Sequence, residues 1–160
     1  MSLLSACPGG NLLEPPVALQ KDTNLVPFAN ELVAGLTQPQ TEVFNHPARF
    51  RMLAAGRRFG KTHLSLVQLI VWAADKSGSL NWYLAPTYRA AKSIAWRQLK
   101  EMVPRELFAE KNEVDLSIEL INGSRIELKG GDRYDSLRGN SLSNVILDEA
   151  AYIPADCWEM

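Results

Sequence analysis

The chain has 160 residues, 46% of them hydrophobic, with a formal net charge of −1 and a pI near 6.1. This length and composition predict one globular domain with its own core, and no apolar run approaches the roughly 20 residues of a membrane span. The near-zero net charge excludes a global attraction to nucleic acid, so any DNA contact would have to come from local patches. The two cysteines, Cys7 and Cys157, match neither a disulfide framework nor a metal-ligand spacing, which favours a reducing compartment.

Residues 1–35 are rich in proline and glycine and show little hydrophobic periodicity. They predict an extended or poorly ordered N-terminal arm, with one short helix near residues 28–36. Residues 4–7 (LSAC) are similar to a lipoprotein cleavage box, but the segment before them has no basic stretch and is too short for an apolar signal region. We therefore expect no membrane anchor, and we place the main domain at residues 36–160.

A short helix is predicted to begin just after Thr37, with Thr37 as the N-cap and Pro39 in the first turn. Gln40 lies in this turn, upstream of the strand that precedes the main motif. Its amide could pair with both polar atoms of an adenine edge. A solvated glutamine at a helix start is the alternative, and the residue alone does not decide between the two.

Residues 54–62 (AAGRRFGKT) have the pattern of a phosphate-binding loop. Gly56 and Gly60 allow backbone N–H groups to turn inward, Lys61 supplies a charge for the β- and γ-phosphates of a nucleotide, and the Thr62 hydroxyl can ligate Mg²⁺. The flanking pattern is the expected one, since residues 50–54 predict a strand and apolar residues from 64 to 74 recur at helical spacing. The usual first glycine is replaced by Ala55, so either the loop begins with negative φ or the turn shifts onto Gly56.

A second candidate strand ends in two carboxylates. The apolar run at residues 144–147 predicts a buried parallel strand that delivers Asp148 and Glu149 to the carboxyl edge of the sheet, where open α/β sheets bind ligands. Asp148 is the candidate for the Mg²⁺ shell, and Glu149 is the candidate for polarising the attacking water.

Between the two motifs the sequence predicts a strand at residues 80–85, ended by Pro86, and a basic helix from Thr87 to about Val103. This helix either contacts a DNA backbone or presents a solvated face. Residues 116–129 predict a hairpin around Asn122-Gly123, in which Glu119 faces Arg125 and Asp115 faces Lys129. Residues 130–139 predict a flexible polar loop, and residues after Glu149 begin another helix.

The chain resembles the ATPase half of the large terminase subunit of tailed bacteriophages over residues 36–154. The segments that carry the resemblance are residues 56–62 (GRRFGKT), 83–88 (YLAPTY), 136–139 (SLRG) and 147–150 (LDEA). Their order and spacing are together more specific than any single one. The resemblance implies an α/β fold, a P-loop NTPase of the additional-strand, RecA-like type, with a parallel sheet flanked by helices and a β-hairpin insertion.

The resemblance also implies a function and partners. It implies an ATP hydrolase that uses ATP and Mg²⁺, assembles as a homo-oligomeric ring on a portal protein, works with a small terminase subunit, and drives double-stranded DNA into a procapsid in the cytoplasm of an infected bacterium. It assigns Gln40 to the adenine, Arg57 and Arg58 to the phosphate loop, with Arg57 near the γ-phosphate, and Arg138 to an arginine finger offered to a neighbouring subunit.

The family's coupling motif, the rest of its ATPase lobe and its nuclease domain are expected after Met160, so we expect a C-terminally incomplete domain without nuclease activity. A superfamily 2 helicase-like translocase is one alternative, although Ala151 stands where its D-E-x-[DH] box has an acid or histidine. A nucleotide-binding module that does not hydrolyse ATP is another.

Overall fold

The computed structural model describes residues 2–5 and 25–158, and within these ranges seven strands form one mixed sheet. The strands are β1 (Ser2–Ser5), β2 (Phe50–Leu53), β3 (Leu80–Ala85), β4 (Phe108–Asn112), β5 (Ser117–Leu120), β6 (Arg125–Gly130) and β7 (Asn144–Leu147). Their order across the sheet is β2-β1-β7-β3-β6-β5-β4. The helices are α1 (Leu25–Ala34), α2 (Gln38–Phe44), α3 (Lys61–Asp75), α4 (Tyr88–Ala91) and α5 (Arg97–Met102), with a π-helical segment, Lys92–Trp96, between the last two.

The centre of the sheet is parallel, and its edges are not. β3 lies between β6 and β7 and pairs with both in parallel. β1 pairs antiparallel with β2 and with β7, so one strand separates the strand before the phosphate loop from the acidic strand. The predicted α/β fold is confirmed, with a sheet that is parallel at its centre and antiparallel at both edges. The carboxyl ends of β3, β6 and β7 share one edge, as a ligand site requires.

The predicted hairpin is confirmed, but it is part of the main sheet. β5 and β6 pair with Glu119 opposite Arg125, and Gly123 takes the left-handed φ of 76° that the loop needs. β6 then pairs with β3 along its whole length, and β4, which the sequence did not predict, extends the sheet beyond β5. The expected pairing of Asp115 with Lys129 is wrong, because Leu116 has a φ of 51° and ends the ladder, while Lys129 binds Glu127.

The main core lies between the sheet and the helices α1, α3, α4 and α5. Its fully buried members include Leu66, Ile70, Tyr83, Leu99 and Ile126. A smaller cluster around Trp82 and Leu147 covers the opposite face.

The helix expected at residues 28–36 is α1, which begins at Leu25. It buries Leu25 and Ala29 in the main core beside α3. This part of the expected N-terminal arm is therefore packed on the domain. The remaining expectation for residues 6–24, including the segment around Cys7, lies outside the described residues.

The basic helix predicted from Thr87 is α4, the π-helical segment and α5 in succession, with Thr87 as the N-cap. The π-helical turn inserts one residue, so Ala95 and Trp96 face the core, and Ile94 is 42% exposed. Glu113 binds this helix through the Trp96 indole and Lys100 and also pairs with Lys111, and these contacts lower the pKa of Glu113 to about 2.

Two other predicted segments differ from the structure. Residues 131–137, expected to be a flexible loop, form 3₁₀ turns kinked at Arg133. The helix expected after Glu149 is a pair of short 3₁₀ turns, Ala150–Tyr152 and Ala155–Trp158. No helix within residues 25–158 is both long enough and apolar enough to cross a bilayer.

Gly130 ends β6 at a point of close backbone contact. A Cβ at this position would lie 2.1 Å from the Tyr88 backbone nitrogen and 2.2 Å from Asp132 Oδ1. The Asp132 carboxylate accepts a hydrogen bond from the Tyr88 N–H at 3.1 Å, so it caps α4 across this gap. Glycine is needed here for space rather than for its backbone angles, since its φ is −104°.

We expect Gly130→Ala to lower the free energy of unfolding by about 3 kcal/mol, because neither the backbone nor the cap can move away cheaply. Urea unfolding measures the effect. Gly35→Ala is the matched control, since its Cβ would meet its nearest atom at an ordinary 3.5 Å. Equal stability changes in the two variants would contradict the close approach.

Candidate active site

The phosphate loop leaves β2 and enters α3 through two residues in the left-handed region. Arg58 has a φ of 66° and Gly60 a φ of 83°, whereas neither Ala55 nor Gly56 has a positive φ. The loop therefore begins with negative φ, the first of the two possibilities that the alanine at position 55 left open. Left-handed residues within a tight turn curve the backbone into a concavity that suits anions.

Lys61 is the first residue of α3, and its ammonium group lies back over the loop. Its Nζ donates to the carbonyl oxygens of Ala55 at 2.8 Å and Gly56 at 3.2 Å. An ammonium has three protons, so this geometry leaves one for a phosphate oxygen. The positive end of the α3 dipole adds to the attraction for an anion.

Gln40 lies beside the loop, and both ends of its amide are in use. Its Oε1 accepts the Thr37 N–H at 2.9 Å, and its Nε2 donates to the Phe59 carbonyl at 2.8 Å. The side chain is 5% exposed, so the alternative of a solvated glutamine is wrong. A Cβ at Gly60 would come within 2.6 Å of Gln40 Nε2, which places the amide directly against the loop.

Arg51 joins the helix of Gln40 to the strand of the loop. Its guanidinium donates to the carbonyl oxygens of Val43 and Phe44 at the end of α2, and to Gln68 Oε1 on α3. The side chain is buried, and burial lowers the pKa of Arg51. Arg51 is therefore a structural residue, and it does not contribute to a basic surface patch near the loop.

Asp148 follows β7 and is 6% exposed. Its backbone N–H donates to Leu84 on β3 at 2.9 Å, which fixes the end of the strand. Its Oδ1 accepts the Glu149 N–H at 3.1 Å, and its Oδ2 accepts the hydroxyl of Tyr83. The buried carboxylate therefore has a partner on each oxygen.

Tyr83 connects the acidic strand to the phosphate loop. It is fully buried in β3, and its hydroxyl donates to Asp148 Oδ2 with the Thr62 side chain nearby. Burial and the nearby Asp148 carboxylate raise the pKa of Tyr83 far above its usual 10, so the phenol is a neutral donor at physiological pH. The hydroxyl of one strand residue therefore brings the loop and the acidic strand together.

Glu149 has a different environment from its neighbour. It is exposed, and it has a left-handed φ of 51°, which is uncommon for a residue other than glycine. The turn is closed by a 2.8 Å bond from the Tyr152 N–H to the Glu149 carbonyl. The Asp148 carboxylate is thus buried and hydrogen-bonded, whereas Glu149 is exposed. This difference suits two separate roles for the pair.

The donors present suit a magnesium ion. Among residues 25–158 no group of three or more His, Cys, Asp or Glu side chains could form a closed metal site. Thr62 and Asp148 instead supply a hydroxyl and a carboxylate close together beside a phosphate loop. Mg²⁺ prefers such oxygen ligands and usually takes only one or two from the protein, with phosphates and water completing its shell.

The remaining predicted arginines are exposed. Arg57 and Arg58 lie on the outer part of the phosphate loop. Arg138 follows the 3₁₀ turns, and its Nε lies 3.8 Å from Asp135 Oδ1, with side-chain exposures of 65% and 78%. Such an exposed pair contributes little to stability, so Arg138 is free to reach another partner.

Sequence reasoning missed Tyr83 as a site residue. The sequence does contain one indication, because Tyr83 lies at the centre of a predicted strand with apolar neighbours. A tyrosine buried in this way usually has a hydrogen-bond partner for its hydroxyl. The partner could not be identified, because Asp148 is 65 residues away along the chain.

Comparisons with known proteins show which family the chain is similar to. The family model "Terminase large subunit, T4likevirus-type, N-terminal" matches residues 52–157. Terminase large subunits of Thermus phage G20c and Thermus virus P23-45 are each 31% identical, over 74% of this chain and 28% of their own length. The solved large terminase ATPase domain of Thermus phage P74-26 has a TM-score of 0.68 and 29% identity, covering 81% of this chain and 59% of that one.

Proposed function

Because the chain belongs to the terminase large subunit family, of which it matches the N-terminal part, we propose that it is the ATPase portion of a phage DNA-packaging motor. It hydrolyses ATP to drive double-stranded DNA into a procapsid. The observation that carries the proposal is the hydroxyl of Tyr83, which donates to Asp148 of the acidic strand and lies near Thr62 of the phosphate loop. A loop and an acidic strand that meet in this way can hold a nucleotide and its metal at one point.

Each residue has a role that follows from its position. Gly60, Lys61 and the start of α3 bind the phosphates, while Thr62 and Asp148 hold Mg²⁺. When bound, Mg²⁺ would neutralise charge that develops during phosphoryl transfer. Glu149, which is exposed at the same edge, orients the attacking water and accepts its proton.

The base and the outer phosphate have their own contacts. Gln40 is 5% exposed, and the amide proton and lone pair that it keeps beyond its bonds to Thr37 and Phe59 are the groups that would meet an adenine edge. Arg57 and Arg58 lie on the loop with their side chains exposed, where Arg57 can approach the γ-phosphate. Arg138 acts on the nucleotide of a neighbouring subunit.

The proposed partners follow from the family rather than from a surface in this structure. They are double-stranded DNA, a portal protein, a small terminase subunit and further copies of the subunit in a ring, in the cytoplasm of an infected bacterium. The chain spans 28% of the length of the curated relatives it matches, so packaging is a proposal for the whole protein. Nucleotide binding can be tested on this chain itself.

Lys61→Ala should weaken ATP binding by about 30-fold or more, because a hydrogen bond to a charged group contributes about 1.5–3 kcal/mol and Lys61 can supply at least one to the phosphates. Isothermal titration calorimetry of wild type and variant with Mg²⁺-ATP measures the loss. Lys76→Ala is the matched control, since this exposed lysine lies at the opposite end of α3. Unchanged affinity in Lys61→Ala would refute the assignment of the loop.

A further inference from the structure

Tyr83 occupies a position where packing alone would favour a purely apolar residue. Its ring is fully buried in the main core, in the central strand of the sheet. A phenylalanine would fill almost the same volume. The hydroxyl is the part of the side chain that the core does not need, and it is the part that donates to Asp148 and lies near Thr62.

We propose that Tyr83 is a positioning residue for the metal site, whose hydroxyl sets the orientation of both the Thr62 hydroxyl and the Asp148 carboxylate. The inference rests on the proposed nucleotide site and extends it to a residue on a third strand. Tyr83 itself does not contact the metal or the phosphates. It acts through the two groups that do.

The direction of the hydrogen bond from Tyr83 to Asp148 gives the reason. The Tyr83 proton goes to Asp148 Oδ2, which leaves the phenol oxygen as an acceptor for the nearby Thr62 hydroxyl. A Thr62 hydroxyl that donates to this oxygen would present its lone pairs away from the core. A cation can use those lone pairs without first turning the hydroxyl.

The carboxylate is fixed in a similar way. The Glu149 N–H holds Asp148 Oδ1, and Tyr83 holds Oδ2, so rotation of the carboxylate would break one bond or the other. Loss of the phenol would free Oδ2 inside a largely buried site. Partners of this kind, one step removed from the metal, typically contribute about 10–100-fold to metal affinity.

Tyr83→Phe tests the inference, because it removes one oxygen and keeps the ring. ATP affinity is measured by calorimetry in excess Mg²⁺ and in EDTA, and Mg²⁺ is then titrated at fixed ATP. We expect the affinity in EDTA to be unchanged and the Mg²⁺ concentration for half-maximal effect to rise about 10-fold. Tyr88→Phe is the matched control, since its hydroxyl donates to the Val114 carbonyl and has no contact with Thr62 or Asp148.

Two results would overturn the inference. The first is an unchanged Mg²⁺ requirement in Tyr83→Phe. The second is an equal loss of ATP affinity with and without metal, which would indicate a general structural role for the hydroxyl. Failure of the wild-type chain to bind ATP under either condition would instead refute the proposed function, so the two failures are distinguishable.

Discussion

Glu149→Gln is expected to bind Mg²⁺-ATP as tightly as the wild type and to slow hydrolysis by about 10²–10⁴-fold, the usual contribution of a general base. Glutamine keeps the size of the side chain but cannot accept the proton from water. The backbone turn should survive, because its bonds involve only the Glu149 N–H and carbonyl. ATP affinity by calorimetry and single-turnover phosphate release separate binding from chemistry.

Asp148→Asn is the variant to compare with Glu149→Gln, because we expect it to impair metal-dependent binding rather than hydrolysis. The buried carboxylate would become an amide, and its loss should weaken binding that depends on Mg²⁺ while leaving binding in EDTA nearly unchanged. Glu110→Gln, on the exposed edge strand β4, is the control for a carboxylate lost far from the site. Equal loss of binding in the Glu149 and Asp148 variants would show that the assigned roles are wrong.

Arg138→Ala should reduce hydrolysis by about 10³–10⁵-fold in the full-length subunit assembled as a ring, with little change in ATP affinity. An arginine finger stabilises charge that exists only in the transition state, so its loss does not affect ground-state binding. The structure is compatible with this role, since Arg138 is exposed and pairs only weakly, with Asp135.

Mixing Arg138→Ala with Glu149→Gln subunits tests whether the arginine acts between subunits. Each variant lacks a different half of one composite site, so some interfaces in a mixed ring contain an intact Glu149 facing an intact Arg138. Activity should therefore partly return on mixing. No recovery, together with weaker ATP binding by Arg138→Ala alone, would place the arginine within its own subunit.

The parts of the site that are continuous in sequence could be predicted from it. The phosphate loop, α3 and the strand before Asp148 each have a local pattern, and the hairpin register followed from Asn122-Gly123. β3 was predicted with its observed limits because Pro86 ends it. Local sequence patterns of this kind predict the folded structure well, because the interactions behind them form between residues that are close in sequence.

The features that depend on distant partners could not be predicted. β4 has three exposed residues and no clear alternation, so nothing marks it as a strand until β5 pairs with it. The π-helical turn leaves Ile94 exposed, whereas hydrophobic periodicity assumes a regular helix. The hydrogen bond from Tyr83 to Asp148 forms only because β3 lies beside β7.

The contact between Gln40 and Gly60 means that these two positions cannot change independently. Any side chain at position 60 meets the Gln40 amide and also requires a left-handed backbone. If Gln40 is first replaced by a shorter residue, a side chain at position 60 no longer meets the amide but still requires a left-handed backbone. The second substitution then destabilises the protein less, so the two free-energy changes do not add. If Gln40 binds the nucleotide base as proposed, a lineage that altered position 40 would thereby gain tolerance at position 60, and specificity for the base and variation in the loop would evolve together.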